Sequence, residues 1–177
     1  MESLERQIQD LELRSTDQRF GIFVPKAEVD RLVTFCSAAC SRETGGVLVG
    51  SYNSDGRLAV VSRLTPPPSD SRFGTSWFVR GTRGLTQLLD RLWNHTGEYY
   101  LGEWHFHPGG SPRPSLTDRK QMRSIARSRL YRCPEPLLVI VGGHPPDELL
   151  ISATVFARRS QSIEETPLEP GGGTAVQ

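Results

Sequence analysis

The chain has 177 residues, the size of one ordinary domain, which leaves little room for a second. Hydrophobic residues make up 36% and charged residues 23%, a composition typical of a globular protein that excludes a collagen, a coiled coil and a wholly disordered chain. The formal net charge of +1 gives no global attraction to nucleic acid or to an anionic membrane.

The predicted elements of the N-terminal half follow from hydrophobic periodicity and turn residues. Residues 1–19 carry apolar residues at rough helical spacing amid charges, which predicts a short amphipathic helix or a loosely packed extension. The pattern then predicts a strand over Phe20–Val24, a helix from Pro25 to about Ser41, and a hairpin of two strands, Val47–Tyr52 and Leu58–Leu64.

The C-terminal half alternates short strands with two more helices. We predict a strand at Trp77–Val79, a helix from Leu85 to near Gly97 with Thr82 as its cap, a strand at Tyr99–His107, a helix from Ser115, and strands at Leu137–Val141 and Leu149–Phe156. Interleaved strands and helices favour an α/β sandwich. We therefore expect a domain over residues 20–157, and residues 158–177 are polar enough to predict a disordered tail.

The cysteines and the absence of a targeting pattern indicate a cytoplasmic protein. Cys36, Cys40 and Cys133 form no CxxC pair, and the first two fall at i,i+4 spacing, which favours the buried face of a helix over a metal site. No apolar run approaches the ~20 residues that span a bilayer, and the N-terminal residues lack the apolar segment of a signal peptide.

The segment from His105 to Asp118 carries the clearest chemical signal. His105 and His107 point the same way from one strand, and Asp118 lies in the first turn of a helix that begins at Ser115. Two histidines and one aspartate can hold a zinc ion with its fourth position open for water, as in catalytic sites. Taken separately, Ser115 and Asp118 resemble a helix cap and the histidines a structural pair, so the metal hypothesis depends on their joint occurrence.

A hydrolytic zinc site also needs a base, and the spacing leaves two candidates. Glu103 lies two residues before His105 on the same strand face, where it is either the base or a partner that orients a histidine. Glu43 precedes Gly45 at the start of a long strand, where its side chain can reach into a site from the edge.

The order of these residues resembles the motif of the JAMM (MPN+/JAB) metalloproteases. The resemblance rests on His105-x-His107-Pro108, on Ser115-x-x-Asp118 seven residues later, and on Glu43 before a Gly-Gly pair, and it covers roughly residues 20–157. It implies a cytidine-deaminase-like α/β sandwich in which about three helices flank a mixed sheet. It further implies one zinc ion per chain on His105, His107 and Asp118, with Glu43 as the base and Ser115 as the donor to the oxyanion.

The sequence Gly-Glu-Trp-His-x-His-Pro and the small size resemble the bacterial stand-alone members of that family. Some of these belong to antiphage operons, such as CBASS operons, together with ubiquitin-type activating and conjugating enzymes. The resemblance implies an isopeptidase that cuts after the C-terminal glycine of a ubiquitin-like modifier, or releases a conjugated cyclic-nucleotide synthase. Expected partners are the modifier or its conjugate and enzymes of the same operon, without a membrane and without nucleic acid.

Two other functions are left open by the sequence. RadC-type proteins share the spacing from His105 to Asp118, but they typically have Asn where this chain has Phe106. The third predicted helix is basic, which favours a solvated face or an acidic partner over nucleic acid. A metal-bearing binding module without catalysis is the other alternative, against which the complete set of ligands and base argues. The loops Pro66–Trp77 and Gly109–Arg113 are predicted to line a substrate cleft.

Overall fold

The computed structural model describes residues 9–170, which form ten strands and three helices. In chain order these are β1 Leu11–Arg14, β2 Gly21–Val24, α1 Lys26–Ala39, β3 Thr44–Tyr52, β4 Leu58–Leu64, β5 Arg72–Phe73, β6 Phe78–Val79, α2 Leu85–Thr96, β7 Tyr99–Phe106, α3 Leu116–Arg127, β8 Leu137–His144, β9 Glu148–Arg158 and β10 Ile163–Pro170. The strands and helices predicted between Phe20 and Phe156 are confirmed to within a few residues.

Eight strands form one sheet that closes on itself in the order β1-β10-β9-β8-β7-β3-β4-β2, and β5 pairs with β6 in a separate ribbon. The pairs β2–β4 and β7–β8 are parallel and the others antiparallel. The predicted α/β class, mixed sheet and three helices are therefore confirmed, but the description as a sandwich is not exact, because the sheet closes into a barrel. The sheet closes because β1 pairs with β10, which places Leu13 opposite Pro170.

The two terminal segments take part in this sheet. Leu11–Arg14 is a strand and not the predicted helix, and residues 1–8 lie outside the described part of the chain. The prediction of a disordered tail is wrong for Ile163–Pro170, because these residues pair with β9 and bury Leu168 to 5% exposure. Residues 171–177 also lie outside the described part.

Two hydrophobic clusters hold the helices to the sheet. The first joins α1 to Trp104 and Phe106 of β7, and Phe35 of α1 stacks on Trp104 at 5.8 Å between ring centroids. The second joins α2 and α3 to the sheet through Met122, Ile125, Tyr100 and other buried residues. Because neighbours on a strand face opposite ways, the residues of β7 that alternate with Trp104 and Phe106 face α3.

Of the two N-caps predicted from the sequence, one is confirmed and one is wrong. Ser115 caps α3 as predicted, but α2 has Gly84 at its N-cap position and not Thr82. Asp70 binds the preceding backbone instead, accepting from the N–H groups of Thr82 at 3.1 Å and Arg83 at 3.0 Å. No helix within residues 9–170 is both long enough and apolar enough to cross a membrane.

Cys36 lies on the buried face of α1, as predicted, whereas Cys40 is exposed at the C-cap of that helix. The helix ends at Ala39, and the left-handed φ of 57° at Cys40 turns the chain away from the helix axis. The predicted common face therefore holds for Cys36 alone.

Candidate active site

Strand β7 carries the two histidines to one end of the closed sheet. His105 lies on the α3 side of β7 and is 4% exposed, while Trp104 and Phe106 are buried on the other side. His107 follows directly after the strand, and its N–H donates to Val141 of the neighbouring strand at 2.8 Å. The loop between His107 and α3 then returns the chain, so that Asp118 at the start of α3 lies against both histidines.

Asp118 contacts both histidines. Its Oδ1 lies 2.7 Å from His105 Nδ1, and its Oδ2 lies 3.5 Å from His107 Nε2. The structure thus brings together the three residues that the sequence predicted as metal ligands.

A capping box fixes Asp118 at the start of α3. Ser115 Oγ accepts from the Asp118 N–H at 3.1 Å, and Asp118 Oδ2 accepts from the Ser115 N–H at 2.7 Å. The same carboxylate therefore satisfies the helix terminus and faces the histidines, so its two predicted roles are compatible.

The contacts in this cluster favour a positive charge on His105 and a negative charge on Asp118. Burial alone would lower the pKa of His105, but hydrogen bonds to Asp118 and Glu103 raise it to about 9. Burial would raise the pKa of Asp118, but hydrogen bonds from the two histidines hold it well below its ordinary value. Without a metal, the cluster is therefore an imidazolium–carboxylate pair at neutral pH.

Glu43 stands half-buried immediately before β3, and its N–H donates to Gly74 at 2.9 Å. Burial raises its pKa, with Asp118 acting in the same direction and His107 opposing it. Gly45, two residues later, allows β3 to lie close to the histidine strand β7, because a Cβ there would lie 2.4 Å from the Trp104 carbonyl oxygen and 2.8 Å from His105.

A cleft of about 420 Å³ joins Glu43 to the cluster. One wall comes from β6 and the residues before it, and the other from the loop between His107 and α3. The lining residues are Glu43, Thr75, Ser76, Trp77, Phe78, Val79, His107, Pro108, Gly110, Ser111, Arg113, Ser115, Thr117 and Asp118. Both loops that were predicted to line a cleft thus contribute to it.

Glu103, the other candidate base, is fully buried and does not line this cleft. It accepts hydrogen bonds from Arg80 at 2.9 Å, Gln121 at 2.7 Å and Tyr100 at 3.2 Å. Burial acts to raise the pKa of Glu103, but His105 and Arg80 hold it below its ordinary value. Of the two candidate bases, the one that lines the cleft is therefore Glu43.

The family model for prokaryotic homologs of the JAB domain matches residues 25–157, a span that includes Glu43 and the whole His105-to-Asp118 segment. This chain belongs to that JAB family.

Relatives of known name agree with the JAB assignment. The chain is 43% identical over 156 residues to a CD-NTase/cGAS isopeptidase of Enterobacter hormaechei, covering 88% of this chain and 86% of that protein. It is 31% identical to the probable metalloprotease y4qB of Sinorhizobium fredii, covering 72% and 79% of the two chains. A CD-NTase/cGAS isopeptidase of Vibrio cholerae is 34% identical over 102 residues, covering 56% and 62%. The chain is thus a metalloprotease of the isopeptidase class.

The fold is also similar to that of a protein from Desulfitobacterium hafniense whose solution structure is known. The TM-score is 0.56 at 19% identity, and the match covers 80% of this chain and 87% of the other. At that identity the likeness concerns the fold alone.

JAB metalloproteases use a metal, and the donor set here fits one in chemical type. Two imidazole nitrogens, from His105 and His107, face the two oxygens of one carboxylate, Asp118. These are ligand types that zinc accepts. Within residues 9–170, however, no group of three or more His, Cys, Asp or Glu side chains is arranged at the geometry of a formed metal site. The present contacts are hydrogen bonds and an ion pair.

Sequence reasoning missed the side chains that surround Glu103. Arg80 and Gln121 come from separate segments and meet Glu103 only through the tertiary fold. The one local signal was a charged residue, Glu103, at an inward-facing position of a strand whose neighbours are apolar. Such a residue needs a buried partner.

Proposed function

We propose that this JAB protein is a zinc-dependent isopeptidase that hydrolyses the bond after the C-terminal glycine of a ubiquitin-like modifier, with residues 20–157 as its catalytic domain. The observation that carries the proposal is that Glu43, Ser115 and Asp118 line one cleft, together with His107. The proposed base, the proposed hydroxyl donor and two of the three proposed metal ligands thus line one open cleft.

In this proposal one zinc ion per chain is held by His105, His107 and Asp118. When bound, zinc lowers the pKa of a water molecule and polarises the scissile carbonyl group. Asp118 is ionised and can therefore bind a cation through its carboxylate. His105 can bind the ion through a nitrogen lone pair once its imidazole is neutral.

Glu43 is the proposed general base. Its carboxylate takes a proton from the attacking water and passes it to the lysine amine as the carbon–nitrogen bond breaks. Burial raises the pKa of Glu43, which makes it a better proton acceptor than an exposed glutamate.

Ser115 is the proposed donor to the developing oxyanion. Its Oγ already accepts the hydrogen bond from the Asp118 N–H at 3.1 Å, so the hydroxyl proton is available to point into the cleft. A donor placed at the oxyanion contributes more in the transition state than in the ground state.

The β5–β6 ribbon offers the modifier tail an apolar edge. Phe73, Trp77 and Val79 are exposed by 38%, 48% and 58%, and Trp77 and Val79 line the cleft. An extended peptide can pair with a short strand such as β6 and rest its side chains on these residues.

The names of the relatives favour a conjugated nucleotidyltransferase as the substrate. We propose that the enzyme releases a cyclic-nucleotide synthase from its modifier in antiphage defence, in the cytoplasm, beside activating and conjugating enzymes. The three free cysteines agree with a reducing compartment. A nucleic-acid partner is not favoured, because Arg119 and Arg123 of the basic helix both pair with Glu165.

A substrate panel tests this proposal. Zinc-loaded enzyme is incubated with a lysine-linked conjugate, a linear fusion of modifier and target, and a conjugate whose modifier ends in Ala in place of Gly. We expect cleavage of the lysine-linked conjugate at the modifier terminus and little cleavage of the Ala-ended one. Equal cleavage of the Gly-ended and Ala-ended conjugates would contradict the proposed specificity, and salt-dependent DNA binding without cleavage would favour the RadC-like alternative.

A further inference from the structure

Behind His105 lies a buried polar cluster that none of the proposed catalytic steps uses. Its centre is Glu103, which is fully buried, and its counter-ion is Arg80, whose side chain is 3% exposed. Gln121 of α3 and Tyr100 of β7 complete the cluster around the Glu103 carboxylate.

The two carboxylate oxygens of Glu103 have different neighbours. Oε1 accepts from Arg80 Nε at 2.9 Å and from the Tyr100 hydroxyl at 3.2 Å. Oε2 accepts from Gln121 Nε2 at 2.7 Å and lies 3.3 Å from His105 Nε2. Since an ionised carboxylate can only accept, Glu103 requires a proton on Nε2, and Asp118 requires a second proton on Nδ1 as long as no metal ion takes its place.

The opposite side of the His105 ring is equally defined. Nδ1 lies 2.7 Å from Asp118 Oδ1, and the ring of Phe78 meets the imidazole edge-on at 5.5 Å between centroids. Contacts at both nitrogens and with Phe78 hold the ring in one orientation, in which Nδ1 is the atom next to Asp118.

We propose that Glu103, fixed by Arg80 and Gln121, is a positioning residue: it keeps the His105 proton on Nε2 and thereby presents the Nδ1 lone pair to a metal shared with Asp118. The inference rests on the proposed metal site. Orientation of a ligand histidine by a carboxylate raises its basicity and selects its tautomer.

Stability alone does not account for this cluster. Taking the charges of Arg80 and Glu103 out of water costs free energy that their attraction only partly offsets, and well-packed apolar residues in their place are often neutral or stabilising. The contact of Glu103 with His105 explains why a charged pair is buried here, which packing alone does not explain.

Zinc affinity, measured by competition with a chromophoric chelator, tests the proposal. Substitution Glu103→Gln keeps the shape and removes the charge, and we expect it to weaken zinc binding about 10–100-fold. The matched control is Glu28→Gln, because Glu28 is also a buried glutamate, 7% exposed. Its Oε2 accepts from the Leu64 N–H at 2.7 Å and its Oε1 pairs with Arg31, and within residues 9–170 it makes no hydrogen bond or ion pair to a histidine. The control should change zinc affinity less than twofold, whatever it does to stability.

A second variant covers the case in which Glu103→Gln does not fold. Gln121→Met removes one donor to Oε2 from a half-buried helix position and leaves the Arg80–Glu103 pair intact. We expect a smaller loss of zinc affinity in the same direction. Zinc affinities of the folded variants equal to that of the Glu28→Gln control would overturn the proposal.

Nitrogen NMR of the zinc-loaded protein, labelled at histidine, gives a readout that a purely structural role would not move. We expect His105 to carry its proton on Nε2, with a downfield signal that shifts upfield in Glu103→Gln because the acceptor loses its charge. A His105 protonated on Nδ1 and bound through Nε2 would overturn the proposal. Should every variant and the wild type fail to cleave while the affinity difference persists, the proposed isopeptidase function fails and the positioning role stands.

Discussion

Ser115 and Asp118 hold each other by reciprocal hydrogen bonds of 3.1 and 2.7 Å at the first turn of α3. This local box holds the Asp118 carboxylate against both histidines, and Ser115 itself lines the cleft. The helix cap and the proposed catalytic roles therefore depend on the same two side chains, so a substitution at either should change both stability and rate.

Ser115→Ala should affect both stability and rate. Loss of the cap is expected to lower the free energy of unfolding by about 1 kcal/mol, and loss of the hydroxyl donor to lower kcat about 10²–10³-fold. Ser115→Thr keeps an oxygen for the cap and a proton for the oxyanion, so it should restore most of both. Urea unfolding and single-turnover cleavage on the same preparations check this, and an alanine variant that loses stability but cleaves normally would remove Ser115 from the chemistry.

Zinc binding should release a proton near neutral pH. The hydrogen bonds to Asp118 and Glu103 raise the pKa of His105 to about 9 in the metal-free protein, so its imidazole is charged at pH 7 and must lose a proton to become a ligand. Calorimetry in buffers of different ionisation enthalpy should give about one proton released per zinc from this residue, and zinc affinity should rise with pH up to about 9. Proton release that is absent at pH 7 would show that His105 is not a ligand.

The ion pairs of Glu164 should give β10 an acid-sensitive contribution to stability. Arg19 and Arg159 lower the pKa of Glu164 from 4.5 to about 2, so its stabilisation is present above pH 4.5 and is lost as the pH falls toward 2. Glu164→Gln should therefore be less stable than wild type at pH 6 and equal to it near pH 2. The effect should be small because the pair is exposed.

Glu169→Gln is the matched control for that experiment. Glu169 lies on the same strand, is exposed and makes no ion pair within residues 9–170. Its substitution should leave urea unfolding unchanged across the same pH range. A Glu164→Gln variant that also unfolds like wild type at every pH would argue against the pairing of Glu164 with Arg19.

Trp77 should contribute to substrate binding more than to the chemical step. It is 48% exposed on the cleft wall, and removal of an aromatic side chain from such a place commonly costs more than 1 kcal/mol of binding. Trp77→Ala should raise KM roughly tenfold with kcat nearly unchanged. Trp93→Ala is the control, because Trp93 is 60% exposed on α2 and does not line the cleft; equal KM values for the two variants would remove Trp77 from the binding surface.

The parts of the site that are close in sequence were predictable, and the parts that meet through the fold were not. The spacing of His105, His107 and Asp118 identified the cluster because one strand, one loop and one capped turn define it locally. Local spacing does not predict Arg80 and Gln121, because each lies far from Glu103 in the chain and contacts it only in the folded structure.

The same distinction explains the errors in the fold. The polar sequence of β10 predicts a tail, because Leu168 is its one buried hydrophobic residue, and its pairing with β9 depends on the sheet and not on its own pattern. The sequence predicts Thr82 as the cap of α2, but the residue that binds the backbone there is Asp70, twelve positions earlier.

Substitution Glu43→Gln, assayed for zinc content and cleavage in one preparation, separates catalysis from metal binding. The variant should keep about one zinc per chain and lose at least about 10²-fold in the rate of isopeptide cleavage at every pH. A variant that retains zinc and cleaves the conjugate at the wild-type rate would contradict Glu43 as the base and the hydrolytic mechanism built on it.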